Sequence, residues 1–565
     1  MNYKTKNLLK TNFIVVALLI LTACGGGDNS VSSEQSELTE ITVSGVIRYE
    51  DPAYDASGFT GDTSYKAVRF ATVDLVDGDG LVVDTTSTDQ NGAYSLTGVG
   101  SGLYVRVLAQ TDSSFSASLS INNLLGNLYA ATQLIETTTS PLTLNVNISD
   151  ASNVAAPFNM LDILTSGVEF IDDLSAVNFS ELSVYWTRGN NQYGTYYCVN
   201  DLVDIFCPRG RGIYVAGGAG SGVGSDSDSD HYDDDVLWHE FSHYVEEVLN
   251  IDDSPGGSHA MTQNDLDLRL AWSEGWGNFF PIAIKSWLSA NDPGLLSATN
   301  LTSPTQYIDT IGVFSSSPPG AVGISIDIEN PGTCGNSDCF VYSSNEIAIA
   351  KILSILRTDY DMSALWSVYE NHLANLLNQP VNMESFWDGW LDQQLPDNTQ
   401  LGILESIYSE REIHYQIDNF EQFDDDSPNS EREVSVCTTM SCVPEAHFFY
   451  RLDGLTDTDV VAFNVVANKS YAIETVDLKN GADTYISIMD NNGMVMVDEA
   501  RNNLENDDRN NNCGACINDA VSFSSLLQFS PTSPGTYYVE VITSPELSSG
   551  SGRYGSYSVK ISEIP

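Results

Sequence analysis

The sequence predicts a chain of several domains: an all-β sandwich at the N-terminus, a central α+β domain whose second half is mostly helical, and an all-β sandwich at the C-terminus. Three observations support this division. Short alternating apolar and polar stretches separated by turn residues fill residues 41–150, and they recur in residues 430–565. Residues 155–425 instead contain long apolar stretches with helical periodicity. A chain of 565 residues is long enough for several hydrophobic cores.

Residues 1–23 have the pattern of a secretory signal peptide. Basic residues between Lys4 and Lys10 precede an apolar run over 13–21, which is too short for a stable transmembrane span. The ending Leu-Thr-Ala-Cys24 resembles a bacterial lipobox, which implies cleavage before Cys24 and lipid attachment to its sulfur. Residues 24–40 then form a polar tether, and Gly25 after the cysteine indicates the outer membrane. The expected location is the cell envelope, as an outer-membrane lipoprotein or at the extracellular surface. We therefore expect a lipid anchor and no transmembrane helix in the mature chain.

The net charge is −54, from 23 basic and 77 acidic residues. Such a surface repels the phosphate backbone, which disfavours a role in nucleic-acid binding. Solubility in a salty exterior is the simplest reason for this charge, and structural calcium binding is a second one.

The cysteines also indicate export from the cytoplasm. Apart from Cys24, eight cysteines occur as four close pairs, which favours local disulfides. The predicted pairs are Cys198/Cys207, Cys334/Cys339, Cys437/Cys442 and Cys513/Cys516.

In residues 41–150, strands are predicted at 41–48 and 68–76, with turn clusters at 77–80 and 89–92. The run from Asp89 to Leu96 and the following strand resemble carboxypeptidase-regulatory-like β-sandwich modules. That resemblance implies a spacer or binding module without chemistry of its own.

In residues 155–425, a helical stretch is expected from Ala156 to Ile171 and strands at 182–186 and 212–216. Four helices are predicted at 345–357, 364–377, 383–394 and 400–408. Residues 217–235 are rich in Gly, Ser and Asp. The run is either a solvated loop or a calcium site whose ligands are its carboxylates. Its aspartates are Asp226, Asp228, Asp230, Asp233, Asp234 and Asp235. The last three of them also suit the N-terminus of a helix.

The stretch from Asp235 to Leu249 contains the motif H-E-x-x-H on a predicted, largely buried helix. Residues four apart share a helix face, so His239 and His243 can offer imidazole nitrogens to one zinc ion. Glu240 is then placed to take a proton from a water molecule that the ion activates.

A third ligand is expected from a second apolar run, Leu266 to Leu288. Glu274 lies there among aromatic and apolar neighbours, where a carboxylate is costly to bury unless it is paired or binds a metal. Two histidines and one glutamate leave the fourth position of a zinc ion open, as in catalytic sites.

At these residues the chain resembles the gluzincin metallopeptidases and a group of secreted bacterial zinc-peptidase-like proteins. The resemblance implies a zincin-like central domain, one catalytic zinc held by His239, His243 and Glu274, and Glu240 as general base. Two features depart from thermolysin-like enzymes. Thirty residues separate His243 from Glu274, and Asn278 stands where those enzymes have an aspartate that orients a ligand histidine.

Zincins also need a strand that lines the cleft and a donor to the oxyanion of the tetrahedral intermediate. Ile213–Ala216 is the predicted cleft strand, and we expect it to pair along its edge with extended substrate. Four residues remain open as the donor: His259, Tyr342, His231 and His372.

In residues 430–565, strands are predicted at 459–466, 469–474, 484–489 and 535–541. Gly481–Thr484, the turn at 506–508 and the final residues resemble the bacterial pre-peptidase C-terminal domain. The resemblance implies a module that accompanies secreted peptidases. Asp483, Asp507 and Asp508 are either turn residues or calcium ligands.

Together these features predict a secreted, lipid-anchored zinc endopeptidase of the cell envelope that acts on proteins or peptides. A cell-surface binding or adhesion lipoprotein with an inactive peptidase-like domain is the alternative, and a zinc hydrolase acting on other substrates is a third. Because Glu240 is retained beside both histidines, the peptidase is preferred.

Overall fold

A computed structural model describes residues 40–564 of the chain, apart from a set of short and longer gaps. These gaps are residues 138, 153, 191–192, 200–202, 219–228, 265, 312–320, 334–338, 377–380, 414–431, 434–435, 437–444, 450–457, 480–481, 491–493, 498–502, 507–523 and 544–554. The predicted signal peptide, Cys24 and the tether up to residue 39 therefore lie outside the described residues, as do Cys334 and the two C-terminal cysteine pairs.

Ten strands form the first part of the described chain. They are β1 (Glu40–Asp55), β2 (Gly58–Ala67), β3 (Ala71–Val76), β4 (Val82–Ser87), β5 (Ala93–Val99), β6 (Tyr104–Thr111), β7 (Leu119–Asn122), β8 (Ala130–Leu134), β9 (Leu142–Thr143) and β10 (Val146–Ile148). The long strand β1 pairs with β2 and β5 in antiparallel fashion and with β9 and β10 in parallel. Strand β6 pairs with β3, β7 and β8, all antiparallel.

The second sheet continues into the central part of the chain through three further strands, β11 (Leu182–Trp186), β12 (Tyr196–Cys198) and β13 (Gly212–Val215). Strand β7 pairs in parallel with β11, so the sheet order is β12-β13-β11-β7-β6-β3-β4. Residues on both sides of position 150 thus share one sheet. They also share one hydrophobic core, which runs from Ile41 to Ile413.

The middle of the chain is helical, as the periodicity predicts. The helices are α1 (Ala155–Leu174), α2 (Asp234–Val248), α3 (Leu268–Asn291), α4 (Ala298–Thr302), α5 (Glu346–Tyr360), α6 (Met362–Asn371), α7 (Met383–Gln394) and α8 (Asn398–Ser409). A hairpin of β14 (Gln306–Ile311) and β15 (Ala321–Asp327) interrupts them. Local sequence explains several helix starts: Asn382 and Asp397 form capping boxes on α7 and α8.

The C-terminal part is all-β, again as predicted. Its strands are β16 (Arg432–Glu433), β17 (Glu445–Phe449), β18 (Thr458–Val465), β19 (Ser470–Lys479), β20 (Thr484–Met489), β21 (Glu505–Asn506), β22 (Leu526–Phe529), β23 (Gly535–Thr543) and β24 (Gly555–Ile564). They form a five-stranded sheet, β16-β18-β23-β20-β21, and a four-stranded sheet, β17-β24-β19-β22. A separate apolar core that includes Phe463, Ile473 and Val539 lies within this part.

One predicted disulfide is present in full among the described residues. Cys198 and Cys207 are bonded, and they close a loop that follows β12. Cys339 is disulfide-bonded as well. None of the helices in the described ranges is both long and apolar enough to span a bilayer.

Candidate metal centre

Helices α2 and α3 bring together the three side chains that were predicted as metal ligands. His239 and His243 lie one turn apart on α2, and Glu274 comes from α3. The Nε2 atoms of the two histidines are 3.2 Å apart, and Glu274 Oε2 lies 3.0 Å from His239 Nε2 and 3.7 Å from His243 Nε2. All three side chains are only 11–15% exposed.

These distances fit the donor set of a zinc ion. Ligand atoms about 2.0–2.1 Å from one tetrahedral ion lie about 3.3 Å from each other. The three observed separations bracket that value, and two imidazoles with one carboxylate are donors that zinc accepts. The residues present therefore fit a zinc ion with one open coordination position.

Gly277 allows α3 to pass directly against the imidazole of His239. A Cβ atom at this position would stand 2.7 Å from His239 Cε1, which no real packing accommodates. The close approach at Gly277 is what lets Glu274, almost one turn earlier on α3, reach His239.

Glu240 follows His239 on α2 and is buried. Burial is the main cause that raises the pKa of its carboxyl above the ordinary value, while the two histidines lower it. Its carboxylate also accepts a hydrogen bond from the backbone N–H of Tyr197 on β12. A carboxylate with a raised pKa beside a zinc site is suited to accept and return a proton.

The prediction that Ile213–Ala216 offers a free edge to substrate is wrong. Strand β13 pairs with β11 on one side and with β12 on the other, so both of its edges are occupied. Strand β12 is the edge strand of this sheet, and its Tyr197 is the residue that contacts Glu240. Local alternation could not reveal this, because β12 is only three residues long.

A second carboxylate and a hydroxyl orient His243. Its Nδ1 atom lies 3.0 Å from Ser273 Oγ and 3.3 Å from Glu246 Oε2, and the Ser273 hydroxyl donates to the same Glu246 oxygen at 2.6 Å. A partner on the outer nitrogen fixes the ring of a ligand histidine and raises its basicity. Neither residue is among the side chains predicted from the sequence, although Glu246 follows His243 by three positions on the same helix.

Asn278 does not take the place of the aspartate found in thermolysin-like enzymes. It is buried, yet among the described residues neither its Oδ1 atom nor the Nδ1 atom of His239 has a hydrogen-bond partner. The outer partner of a ligand histidine is therefore present for His243 and not for His239 in this part of the chain.

Of the four candidate oxyanion donors, His259 is the one in contact with a predicted ligand. Its Nε2 atom lies 3.3 Å from Glu274 Oε1, and its Nδ1 atom lies 2.9 Å from Glu346 Oε2. The hydrogen bond with Glu346 is the largest cause that raises the pKa of His259 to about 9.

The other three candidate oxyanion donors lie in different surroundings. His231 is buried against Trp186, with ring centroids 4.9 Å apart, and burial lowers its pKa to about 3. His372 packs on Gly389 of α7, and Tyr342 is 37% exposed with a left-handed backbone.

The β14–β15 hairpin adds a buried tyrosine next to the centre. The ring of Tyr307 is 6.2 Å from the ring of His239. Two carboxylates at the start of α2 hold this hairpin: Asp235 accepts from the N–H of Ile308, and Asp233 accepts from the N–H and hydroxyl of Thr310. The acidic run before the helix thus serves partly as an anchor for the hairpin.

Carboxylates of Asp230, Asp233 and Asp309 converge within 4.8 Å in the region where calcium was considered. Asp230 and Asp233 already accept hydrogen bonds from Thr195 and Thr310. Asp483 is buried in the C-terminal part. Four other aspartates considered for calcium, Asp226, Asp228, Asp507 and Asp508, lie outside the described residues. Calcium binding stays a prediction.

No family model matches this sequence, and no curated protein is significantly similar to it. Several solved structures resemble parts of the chain. The pre-peptidase C-terminal domain of collagenase from Bacillus anthracis is 16% identical, with a TM-score of 0.16, covering 24% of this chain and 97% of that one. A 9R-lipoxygenase from Cyanothece is 10% identical, with a TM-score of 0.13, covering 26% of this chain and 25% of that one.

The major plantain pollen allergen Pla l 1 is 18% identical, with a TM-score of 0.13, covering 20% of this chain and 92% of that one. All of these TM-scores are too low to define a fold relationship for the chain.

Proposed function

We propose that this protein is a zinc-dependent endopeptidase that hydrolyses peptide bonds of proteins or peptides. The observation that carries the proposal is the convergence of His239 Nε2, His243 Nε2 and Glu274 Oε2 at 3.0–3.7 Å, with Glu240 next to them on α2. A structural pair of histidines would not need a third, carboxylate donor at ligand spacing, nor a buried glutamate beside it.

Zinc held by His239, His243 and Glu274 would supply Lewis-acid polarisation of the scissile carbonyl and of the attacking water. Glu240 accepts the proton of that water and passes it to the leaving amine. Burial raises the pKa of its carboxyl, which makes the carboxylate a stronger base for the first of these two transfers. Glu246 and Ser273 hold the ring of His243 in the orientation that coordination requires.

The same proposal places the protein in the cell envelope. The apolar run over 13–21 and Cys24 support export and a lipid anchor, and the net charge of −54 suits an extracellular surface. The physiological substrate would then be a protein or peptide outside the cytoplasm.

The test combines metal analysis with a protein-digestion assay on the full-length protein in detergent. Wild type, Glu240→Gln and Glu274→Gln are compared with Glu329→Gln, a partly exposed glutamate that pairs with Ser354. We expect about one zinc per chain in wild type. Glu240→Gln should keep the zinc and lose about 10²–10⁴-fold in rate, Glu274→Gln should bind zinc more weakly, and Glu329→Gln should match wild type.

Wild-type protein without zinc would exclude the site. Wild-type protein that holds zinc but cleaves neither casein nor model peptides would instead favour a cell-surface binding lipoprotein with a peptidase-like domain.

A further inference from the structure

We propose that His259 and Glu346 form a positioning pair that holds Glu274 in the orientation needed to bind zinc. This inference rests on the proposed function. It assigns a role to Glu346, which no sequence motif marks, and it gives His259 a role different from that of an oxyanion donor.

The pair is defined by the two oxygens of Glu274. Its Oε2 atom faces His239 and His243, while its Oε1 atom lies 3.3 Å from His259 Nε2. The opposite ring nitrogen, Nδ1, lies 2.9 Å from Glu346 Oε2. Because Oε1 contacts the imidazole, Glu274 presents only Oε2 to the metal and would bind it as a monodentate ligand. Monodentate binding leaves one coordination position of the metal open for substrate.

Burial makes the pairing of Glu346 with His259 energetically important. The side chain of Glu346 is 1% exposed, and a carboxylate removed from water is costly unless a charged or hydrogen-bonding partner compensates it. The nitrogen that the structure places beside this carboxylate is His259 Nδ1, at 2.9 Å, and the two Glu346 oxygens have no other hydrogen-bond partner among the described residues. Because the imidazole is 29% exposed, it bridges a buried carboxylate and the edge of the metal centre.

Hydrogen bonds to the start of α5 hold the loop between α2 and α3, which carries His259. The side chain of Asn345, the N-cap of α5, donates to the carbonyls of Met261 at 2.9 Å and Gln263 at 2.7 Å. Ser344 donates to the carbonyl of Asn264 and accepts, through its own carbonyl, from the N–H of Leu266. The loop is thus fastened to the residues that directly precede Glu346.

Helices α3 and α5 approach closely at the residue after Glu274. A Cβ atom on Gly275 would lie 2.7 Å from Ile349 and 2.9 Å from the carbonyl oxygen of Glu346. The absence of a side chain at Gly275 therefore brings the first turn of α5 next to the metal ligand. The separation of His243 and Glu274 by 30 residues then has a structural explanation, because the longer connection contains His259 and places it next to Glu274.

The experiment measures zinc affinity of the full-length protein by competition with a zinc chelator, together with zinc stoichiometry, kcat and KM. The variants are His259→Gln, Glu346→Gln and the double variant. Glu329→Gln serves as the control, because its side chain pairs with Ser354 and Arg357 and not with the predicted ligands. Melting temperatures of the metal-free proteins test folding, and His259→Gln keeps the measurement possible if Glu346→Gln does not fold.

Outer partners of metal ligands are typically worth about 10–100-fold in metal affinity. We expect a loss of that size in each single variant and no further loss in the double variant, since both residues act through Glu274. The control should retain wild-type zinc affinity.

Four results would overturn the inference. Unchanged zinc affinity with a lower kcat in His259→Gln would make His259 a catalytic donor. Two zinc ions per wild-type chain, falling to one in the variants, would make His259, Glu274 and Glu346 a second metal site. Absence of zinc from the wild-type protein would contradict both the proposed function and this inference. Zinc binding by wild type, with the same zinc affinity in the variants, would contradict this inference alone.

Discussion

Lys285 Nζ lies 2.7 Å from Asp235 Oδ1, and both side chains are completely enclosed. Asp235 stands one helical turn before His239 on α2, and Lys285 is on α3, the helix that provides Glu274. The ammonium group also donates to the carbonyl of Gln306, where strand β14 begins. One buried ion pair therefore ties together the two ligand helices and the hairpin that carries Tyr307.

Replacing Lys285 alone should destabilise the protein strongly. Lys285→Met leaves the carboxylate of Asp235 buried without its counter-ion, and breaking a buried pair in this way costs about 3–5 kcal/mol. The double variant Asp235→Asn/Lys285→Met removes both charges, and the amide oxygen can still accept from Ile308. It should recover most of the loss in urea unfolding. A double variant as unstable as Lys285→Met would show that the charge imbalance is not the cause.

Gly277→Ala should weaken zinc binding without unfolding the chain. The new methyl group would lie 2.7 Å from His239 Cε1, so either the imidazole or α3 must move and the spacing of His239 and Glu274 is lost. We expect at least about a 10-fold weaker zinc affinity, by analogy with other losses of ligand orientation. Gly402→Ala on α8 is the matched control, because a Cβ atom there meets nothing within 4 Å. Equal zinc affinities for the two variants would contradict the role given to Gly277.

The local pattern predicted much of the fold. Helix α7 and strands β11 and β20 have the predicted bounds, because each follows from periodicity and turn or capping residues within the segment itself. The pairing of β7 with β11 could not be predicted, since it joins strands about 60 residues apart that contain no signal for each other. That pairing is what makes the N-terminal strands continuous with the sheet next to α2.

The same limit applies to the candidate metal centre. His239, Glu240 and His243 share one helix, so their spacing alone placed them together, and the family resemblance pointed to Glu274. Glu346 is 72 positions beyond Glu274 and opens an ordinary helix, so its contact with His259 is visible only in three dimensions. The partner of His243, by contrast, could have been found from the i, i+3 spacing to Glu246.

Glu246→Gln should lower zinc affinity by about 10–100-fold, because the outer nitrogen of His243 loses its charged partner. The neighbouring Glu247→Gln is the control, since Glu247 faces Arg211 and Tyr197 instead. Chelator competition on both variants measures the difference. A loss in Glu247→Gln as large as that in Glu246→Gln would show a general charge effect rather than orientation of His243.

The stability of the protein should fall with acid because of His231. Burial and the nearby Arg188 lower the pKa of this residue from 6.5 to about 3 in the folded chain. Between these two values the unfolded chain binds a proton that the folded chain does not. The contribution of His231 to the free energy of unfolding is therefore fully present above pH 6.5. It is lost as the pH falls toward 3, by about 1.4 kcal/mol per pH unit.

His231→Phe keeps an aromatic ring against Trp186 but cannot titrate. Between pH 7 and pH 5, wild type should lose about 2 kcal/mol more free energy of unfolding than this variant. Urea unfolding at the two pH values measures the difference, and the comparison cancels carboxylates that titrate equally in both proteins. The variant will be less stable than wild type at pH 7, since the contact of His231 with the carbonyl of Ala216 is lost. The difference in free energy of unfolding between wild type and His231→Phe should become smaller as the pH falls. A gap that stays constant from pH 7 to pH 5 would mean that His231 is accessible to protons in the folded chain.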